Sequence, residues 1–410
     1  VIAVASIGVL AAAWSSPAAA QTAACTGGGK ISKTIAKPMI AAQEAMRAKK
    51  WQESLNKLKE AEAQPGAKSA FDQFHITEIR GYVYTSLRQD ADAARELEAG
   101  LNSPCMAEAK KPERIRTLVN YFIRLRNYPK AIDYGNRAMK SSNDPEIKVL
   151  VAQAYYQSGN NKEAVRVMNE VLDSGARAKE NDLLLIRAAC DKAGNNDCVT
   201  RVFEKLVLNY PKTEYWSNLM VALRQGDNDD VQQLNVFRLS NQVNVMKRAD
   251  EYKEMAQLAI DEQLSCEAQS ILEQGFTKKV FVDKRDVDVN TRLLGTAKTK
   301  CVAEKAAIAS ADAAAKTAAS GDASVRVGAQ YLVSGDAAKA VEALQRGIQK
   351  GSIAKGAPNE AQKVDEANIL LGIAQLKANN KAEAAKAFRN VKRDPTMTRI
   401  ARLWALNSNA

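Results

Sequence analysis

Cysteine is the residue type with the most chemistry to offer in this chain. Six are present: Cys25, Cys105, Cys190, Cys198, Cys266 and Cys301. No two of them form C-x-x-C, so neither a thioredoxin-like redox pair nor a zinc ribbon has its spacing. An even count fits disulfides in an exported protein, with the connectivity left open. The one histidine, His75, lies in the run FDQFHIT with no nucleophile or carboxylate constellation beside it. A chain with a single imidazole has little room for hydrolase triads or proton shuttles. Gly27-Gly28-Gly29-Lys30 lacks the G-x-x-x-x-G-K-[ST] spacing of a phosphate loop. No catalytic residue, metal or cofactor is therefore expected.

The chemistry of thiols depends on compartment, and the N-terminus speaks to that. Residues 1–20 read VIAVASIGVLAAAWSSPAAA and carry no charge. The apolar run has the length of a signal-peptide core, and small residues before Gln21 suit cleavage. We therefore expect a signal peptide over 1–20 and a flexible leader over 21–30. A lipid anchor on Cys25 is the alternative; it is disfavoured because Thr22-Ala23-Ala24 precedes it instead of a branched apolar residue. No later run is long enough to cross a bilayer. The chain holds 59 Lys and Arg against 47 Asp and Glu, a formal charge of +12. In an exported protein that charge favours an acidic protein surface over nucleic acid.

The elements that would position these residues are helices. With 21 Gly and 10 Pro in 410 residues, collagen-like and low-complexity classes are excluded. In PEIKVLVAQAYYQSGNNKEAVRVMNEVLDSG (145–175), apolar residues recur at helical spacing on both sides of a Gly159-Asn160-Asn161 break. Ala152 and Ala164 stand twelve residues apart, where two antiparallel helices would cross closely. The same spacing joins Ala42 to Ser54, Gly81 to Ala93, Ala256 to Ala268, Gly328 to Ala340 and Gly372 to Ala384. Val119/Ala131 is a bulkier version, and Met220/Gln232 and Gly295/Ala307 are weaker ones. Successive second anchors fall 33 to 44 residues apart. The only strand candidate is Val280-Phe281-Val282.

These residues resemble the tetratricopeptide repeat (TPR) family. Leu371-Gly372, Ala384, Phe388 and Pro395 match its pattern, as do Ala152, Tyr155 and Ala164, and Gly328, Tyr331, Ala340 and Leu344. The resemblance covers about residues 30–405. It implies an all-α, right-handed solenoid of about ten TPR-like helix-turn-helix hairpins. Its main part spans 31–302, an Ala-rich degenerate repeat or spacer 303–319, and C-terminal repeats with a cap 320–410. Within such hairpins, Cys190 and Cys198 flank the Gly194 turn and are placed to pair. Cys266 and Cys301 fall near turns of adjacent hairpins, which leaves Cys25 with Cys105; free buried thiols are the alternative.

The resemblance also implies a groove lined by first helices that binds a partner protein. Its inward positions fall on Tyr82, Arg116, Asn120, Arg124, Gln153 and Tyr156. Arg116 with Asn120 looks like the start of a carboxylate clamp, but Leu150, Asp182 and Ile186 do not complete it. Leu332, Val333, Ile373 and Leu376 would floor the last repeats, holding an amphipathic helix of a partner or, the favoured reading, closed over by the chain's own Ile400–Leu406. The expected role is a scaffold or adaptor in a Gram-negative periplasm, with no turnover. The alternative is an accessory subunit of an envelope machine, associated with polysaccharide or peptidoglycan or with TonB-type uptake.

Overall fold

The computed structural model describes Cys25 and residues 30–66, 68–141, 143–173 and 178–409. The expected signal peptide (1–20), and all of the leader except Cys25 and Lys30, lie outside the described residues. The described chain is all-α and falls into two compact units, 1–198 and 199–410.

Unit 1 is a row of antiparallel hairpins. Its pairs are α1 (Lys33–Arg47) with α2 (Trp51–Ala63), α3 (Ala70–Ser86) with α4 (Asp90–Leu101), α5 (Lys111–Arg124) with α6 (Tyr128–Ser141), and α7 (Pro145–Gln157) with α8 (Asn161–Asp173). α9 (Glu180–Lys192) follows, and α10 (Asn196–Asn209) carries the chain across the unit boundary. The twelve-residue spacing does what the sequence implies. Ala42 and Ser54 are both fully buried, and the Ser54 hydroxyl donates to the Ala42 carbonyl at 2.8 Å. The second helices of the last two of these hairpins are the more plainly amphipathic. α8 buries Ala164, Val165, Val167, Met168, Val171 and Leu172 on one side and leaves its other side in solvent.

The turns inside the hairpins share one device. A residue just past the first helix takes a left-handed conformation and lets the next amides bond back to the last carbonyls. Glycine does this at Gly159 and Gly194, but Lys49, Arg88 and Arg126 do the same at φ of 59°, 58° and 56°. The helix starts are capped where the sequence allows it. Ser69 and Asp72 form a reciprocal capping box, and Asp72 also accepts from the Ser32 amide (2.9 Å) and hydroxyl (2.5 Å). That buried carboxylate ties the segment before α1 to the second hairpin. Burial raises its pKa, but the bonds from Ser32 and Ser69 outweigh it and hold the group below the usual aspartate value.

Unit 2 contains α11 (Thr213–Arg224), α12 (Asp230–Gln242), α13 (Ala249–Asp261), α14 (Ser265–Thr277), α15 (Lys284–Thr317), α16 (Asp322–Val333), α17 (Ala337–Lys350), α18 (Glu360–Lys377), α19 (Lys381–Arg389) and α20 (Pro395–Asn409). Its hairpins are α11/α12, α13/α14, α16/α17 and α18/α19. Here the row turns back on itself. α12 packs against both α18 and α20. It buries nine of its 13 residues, from Val231 through Ser240. α18 is buried over most of Asp365 to Gln375. The carboxylate of Asp365 receives the backbone amides of Lys392 (3.2 Å), Arg393 and Asp394 (2.8 Å each), which sets the entry to α20. Gln232 Nε2 on α12 then donates to both oxygens of Asp394 at 3.0 Å. Ile400, Ala401, Leu403 and Trp404 are buried, so one face of α20 packs into the unit.

Three expectations are corrected in unit 2. The Gly295/Ala307 spacing does not mark a hairpin, and 303–319 is not a separate segment. α15 runs unbroken for 34 residues and buries only Asn290, Ala297, Cys301 and Ala315. Alanine favours helix continuation, and no residue near 295–307 opens a turn. Val280-Phe281-Val282 is an extended link and not a strand; Phe281 is buried and Val282 exposed.

The structure pairs Cys25 with Cys105, Cys190 with Cys198 and Cys266 with Cys301, and no free cysteine remains among the described residues. Among the described residues no helix is long and apolar enough to cross a membrane.

Candidate functional site

The groove residues expected in unit 1 are placed first. Arg116 is not an open clamp. It pairs with Asp144 and, at 3.1 Å, with Glu146. Asp144 is the N-cap of α7, so one carboxylate caps a helix and neutralises an arginine of the hairpin before it. Asn120 turns its amide nitrogen onto the Arg116 carbonyl at 3.0 Å. Arg124 forks onto Asp90 (2.8 and 3.1 Å) and lies 4.3 Å over the Tyr121 ring. Burial works against its charge, yet Asp90 outweighs that and raises its pKa. Tyr82 packs edge-on against Trp51 at 6.1 Å, at the margin of the first core. Gln153 and Tyr156 stand half-buried on α7.

The wider basic stretch is spent in the same way. Arg114 grips Glu78 with two bonds of 2.7 and 2.6 Å. Lys130 meets Glu98 at 2.8 Å, and Tyr134 donates to the same carboxylate. Burial, then Glu98, pushes the Tyr134 phenol up to about 12. Three of these pairs are separated by 32, 34 and 36 residues, one hairpin repeat apart. The signal was present in the sequence as acids lying one repeat before the bases. It reads as mutual neutralisation between neighbouring hairpins. His75 is half-buried beside Phe71, with ring centroids 4.3 Å apart. Burial lowers its pKa against the pull of Glu78 and Asp72.

Two clefts lie in unit 2. A cleft of about 280 Å³ lies between the α13–α14 turn, α16, the loop 351–359 and α18. A smaller one of about 120 Å³ is lined by Met255, Leu332, Val333, Ile373, Lys377 and Trp404, among others. Leu370 lines both. A ladder of five charges runs along both and lines them. Glu262 accepts from Lys363 at 2.5 Å, and Lys363 reaches Glu366 at 3.3 Å. Glu366 accepts from Arg238 at 2.9 Å, and Arg238 forks onto Glu267 at 2.9 Å on each arm. The Arg238 side chain is 5% exposed and that of Glu366 7%. Burial opposes the charge of each, and the partners outweigh it. Lys363 and then Arg238 hold Glu366 below the usual glutamate range, while Glu267 and Glu366 raise the pKa of Arg238. Such a ladder fixes α12, α14 and α18 in register, because any slip strands a buried charge.

Leu332, Val333 and Ile373 line the smaller cleft beside Trp404 of α20, whereas Leu376, expected with them, is not among its lining residues. Sequence reasoning missed Arg238, Lys363 and Glu366. Nothing periodic marks a pair 128 residues apart.

No family model matches the chain, and no curated protein does. Among solved structures it is similar to a tetratricopeptide repeat protein from Parabacteroides merdae, at 12% identity and TM-score 0.31, over 81% of this chain and 98% of that one. It is similar also to the apo form of RapI, at 12% identity and TM-score 0.35, over 77% of this chain and 85% of that one. A third is the TPR2AB domain of yeast Sti1 in a complex with pHSP90, at 14% identity and TM-score 0.24, over 74% and 100%. The chain's own hairpins are TPR-like in their small-residue crossings and left-handed turn residues.

Proposed function

We propose that the protein is an exported interaction scaffold of a Gram-negative periplasm that holds a segment of a partner protein on unit 2, without turnover. The observation that carries this reading is the smaller cleft. Leu332, Val333 and Ile373 give it apolar walls large enough for one aliphatic side chain. At its rim stands Lys377, an exposed cation with no ion pair to any described residue. An apolar anchor with an acidic neighbour suits that pair of features. Three disulfides and the expected signal peptide over 1–20 support an oxidising compartment. The unit 1 arginines serve as structural cations in this reading.

The test is cross-linking in intact cells followed by affinity capture. Wild type is compared with Val333→Glu/Lys377→Glu and with Arg116→Glu/Arg124→Glu. A partner lost only in the first variant, with both variants folded, supports the reading. A partner lost only in the second moves the site back to unit 1.

A further inference from the structure

The larger cleft of unit 2 has an unbalanced set of polar groups, and the imbalance describes a ligand. Its apolar wall is Leu264, Val325, Ala329, Ile353 and Leu370. Its polar lining includes three carboxylates, Glu262, Asp322 and Glu366, against two cations, Arg326 and Lys363. Several of these are already engaged. Glu366 Oε1 accepts from Arg238 and Asn235, and its Oε2 from Lys363. Asp322 Oδ1 accepts the Ala354 amide at 2.7 Å. Lys363 gives two of its three N–H groups to Glu262 and Glu366.

What remains is specific. Arg326 makes no hydrogen bond or ion pair with any described residue, and its planar fork matches a carboxylate. One Lys363 N–H, Glu262 Oε1 and Asp322 Oδ2 are also left over. A lone anion would satisfy Arg326 but face a surplus carboxylate. A lone amine would do the reverse. A neutral amide could hydrogen-bond to both but would compensate neither charge. The wall is fixed in shape as well. Ile353 is buried between the left-handed residues Ser352 and Ala354, and the Gly321 amide bonds to the Gly351 carbonyl at 2.8 Å. A cleft of about 280 Å³ sits at the small end of ligand pockets.

We propose that this cleft binds a small amino-carboxylate with an apolar side chain, its carboxylate on Arg326 and its ammonium among Glu262 and Asp322. A free amino acid and a dipeptide share that chemistry. The proposal stands on the larger cleft alone and does not rest on the partner-binding reading.

The experiment is isothermal titration calorimetry of the full chain. The probes are alanine, valine, leucine and phenylalanine, their homodipeptides, and the leucine analogues leucinamide and N-acetylleucine. Saturable binding of at least one apolar amino acid or dipeptide is expected. Leucinamide and N-acetylleucine should each bind at least about tenfold more weakly than leucine or its dipeptide. Arg326→Met, on an exposed side chain, should abolish the heat while leaving thermal unfolding unchanged, and Glu262→Gln should weaken binding of the zwitterions. Binding of free amino acids alone, or of dipeptides alone, assigns the source. No saturable heat from any zwitterion overturns the proposal. So does N-acetylleucine binding as tightly as leucine, or binding unchanged in Arg326→Met.

Discussion

Arg124 in unit 1 and Arg238 in unit 2 make nearly the same contact. Each forks onto a carboxylate about one repeat away in sequence, 34 and 29 residues respectively. Yet the Arg124 side chain is 46% exposed and that of Arg238 5%. The first belongs to a row in which each hairpin neutralises its neighbour at the surface. The second belongs to a unit whose last helices return onto α12, so the same kind of pair ends up inside. One repeat grammar thus yields two materials. In unit 1 charge sets the spacing of hairpins and screens a basic face. In unit 2 it fixes the relation of α12, α14 and α18 and frames two clefts.

The comparison can be broken most sharply at Arg238. Arg238→Met leaves Glu267 without its fork and Glu366 with only Lys363 as a cation, beside the Asn235 amide, and should destabilise the chain by about 3–5 kcal/mol. Urea unfolding followed by circular dichroism would read it. A loss under about 1 kcal/mol would mean the ladder is ornamental. Glycine crossings give the next effect. A Cβ on Gly372 would sit 2.3 Å from the Phe388 ring, whereas one on Gly81 would meet Glu96 and Leu97 at 3.4 and 3.5 Å, ordinary contact. Gly372→Ala should cost about 1–3 kcal/mol, and Gly81→Ala should be near neutral or slightly stabilising through helix propensity. Differential scanning calorimetry of the two variants checks the contrast.

Acid should act on the ladder in a defined direction. Glu366 is held below its ordinary pKa when folded. Its contribution is therefore complete above the usual glutamate range and is lost as pH falls through the depressed value. The stability–pH curve of Glu366→Gln should be flatter on the acid side than that of wild type. An identical acid limb would contradict this. The smallest effect belongs to unit 1, where Arg124→Gln should cost roughly 0.2–1 kcal/mol, less at high salt.

Much of the fold could be read from side-chain size. The small residues twelve apart located the hairpins, because helices cross closely only where neither carries bulk. The turns were harder. Lys49, Arg88 and Arg126 take the conformation usually left to glycine, imposed by the hairpin and not by their own preference. α15 was misread because a repeat was looked for where nothing breaks a helix. Arg116 and Arg124, expected at the groove, pair with Asp144 and Asp90 of the neighbouring hairpins, which lie in register to take them. The clefts of unit 2 depend on α12 meeting α18 and α20, and contacts between residues so distant in sequence leave no local pattern.

The central claim is that unit 2 buries a coupled charge ladder where unit 1 displays a weakly coupled surface one. A pair of double-mutant cycles tests it most directly, with Arg238→Met and Glu366→Gln in one and Arg124→Gln and Asp90→Asn in the other. We expect a coupling energy above about 1.5 kcal/mol for the first pair and below about 0.5 kcal/mol for the second. Equal couplings in the two units would contradict the claim.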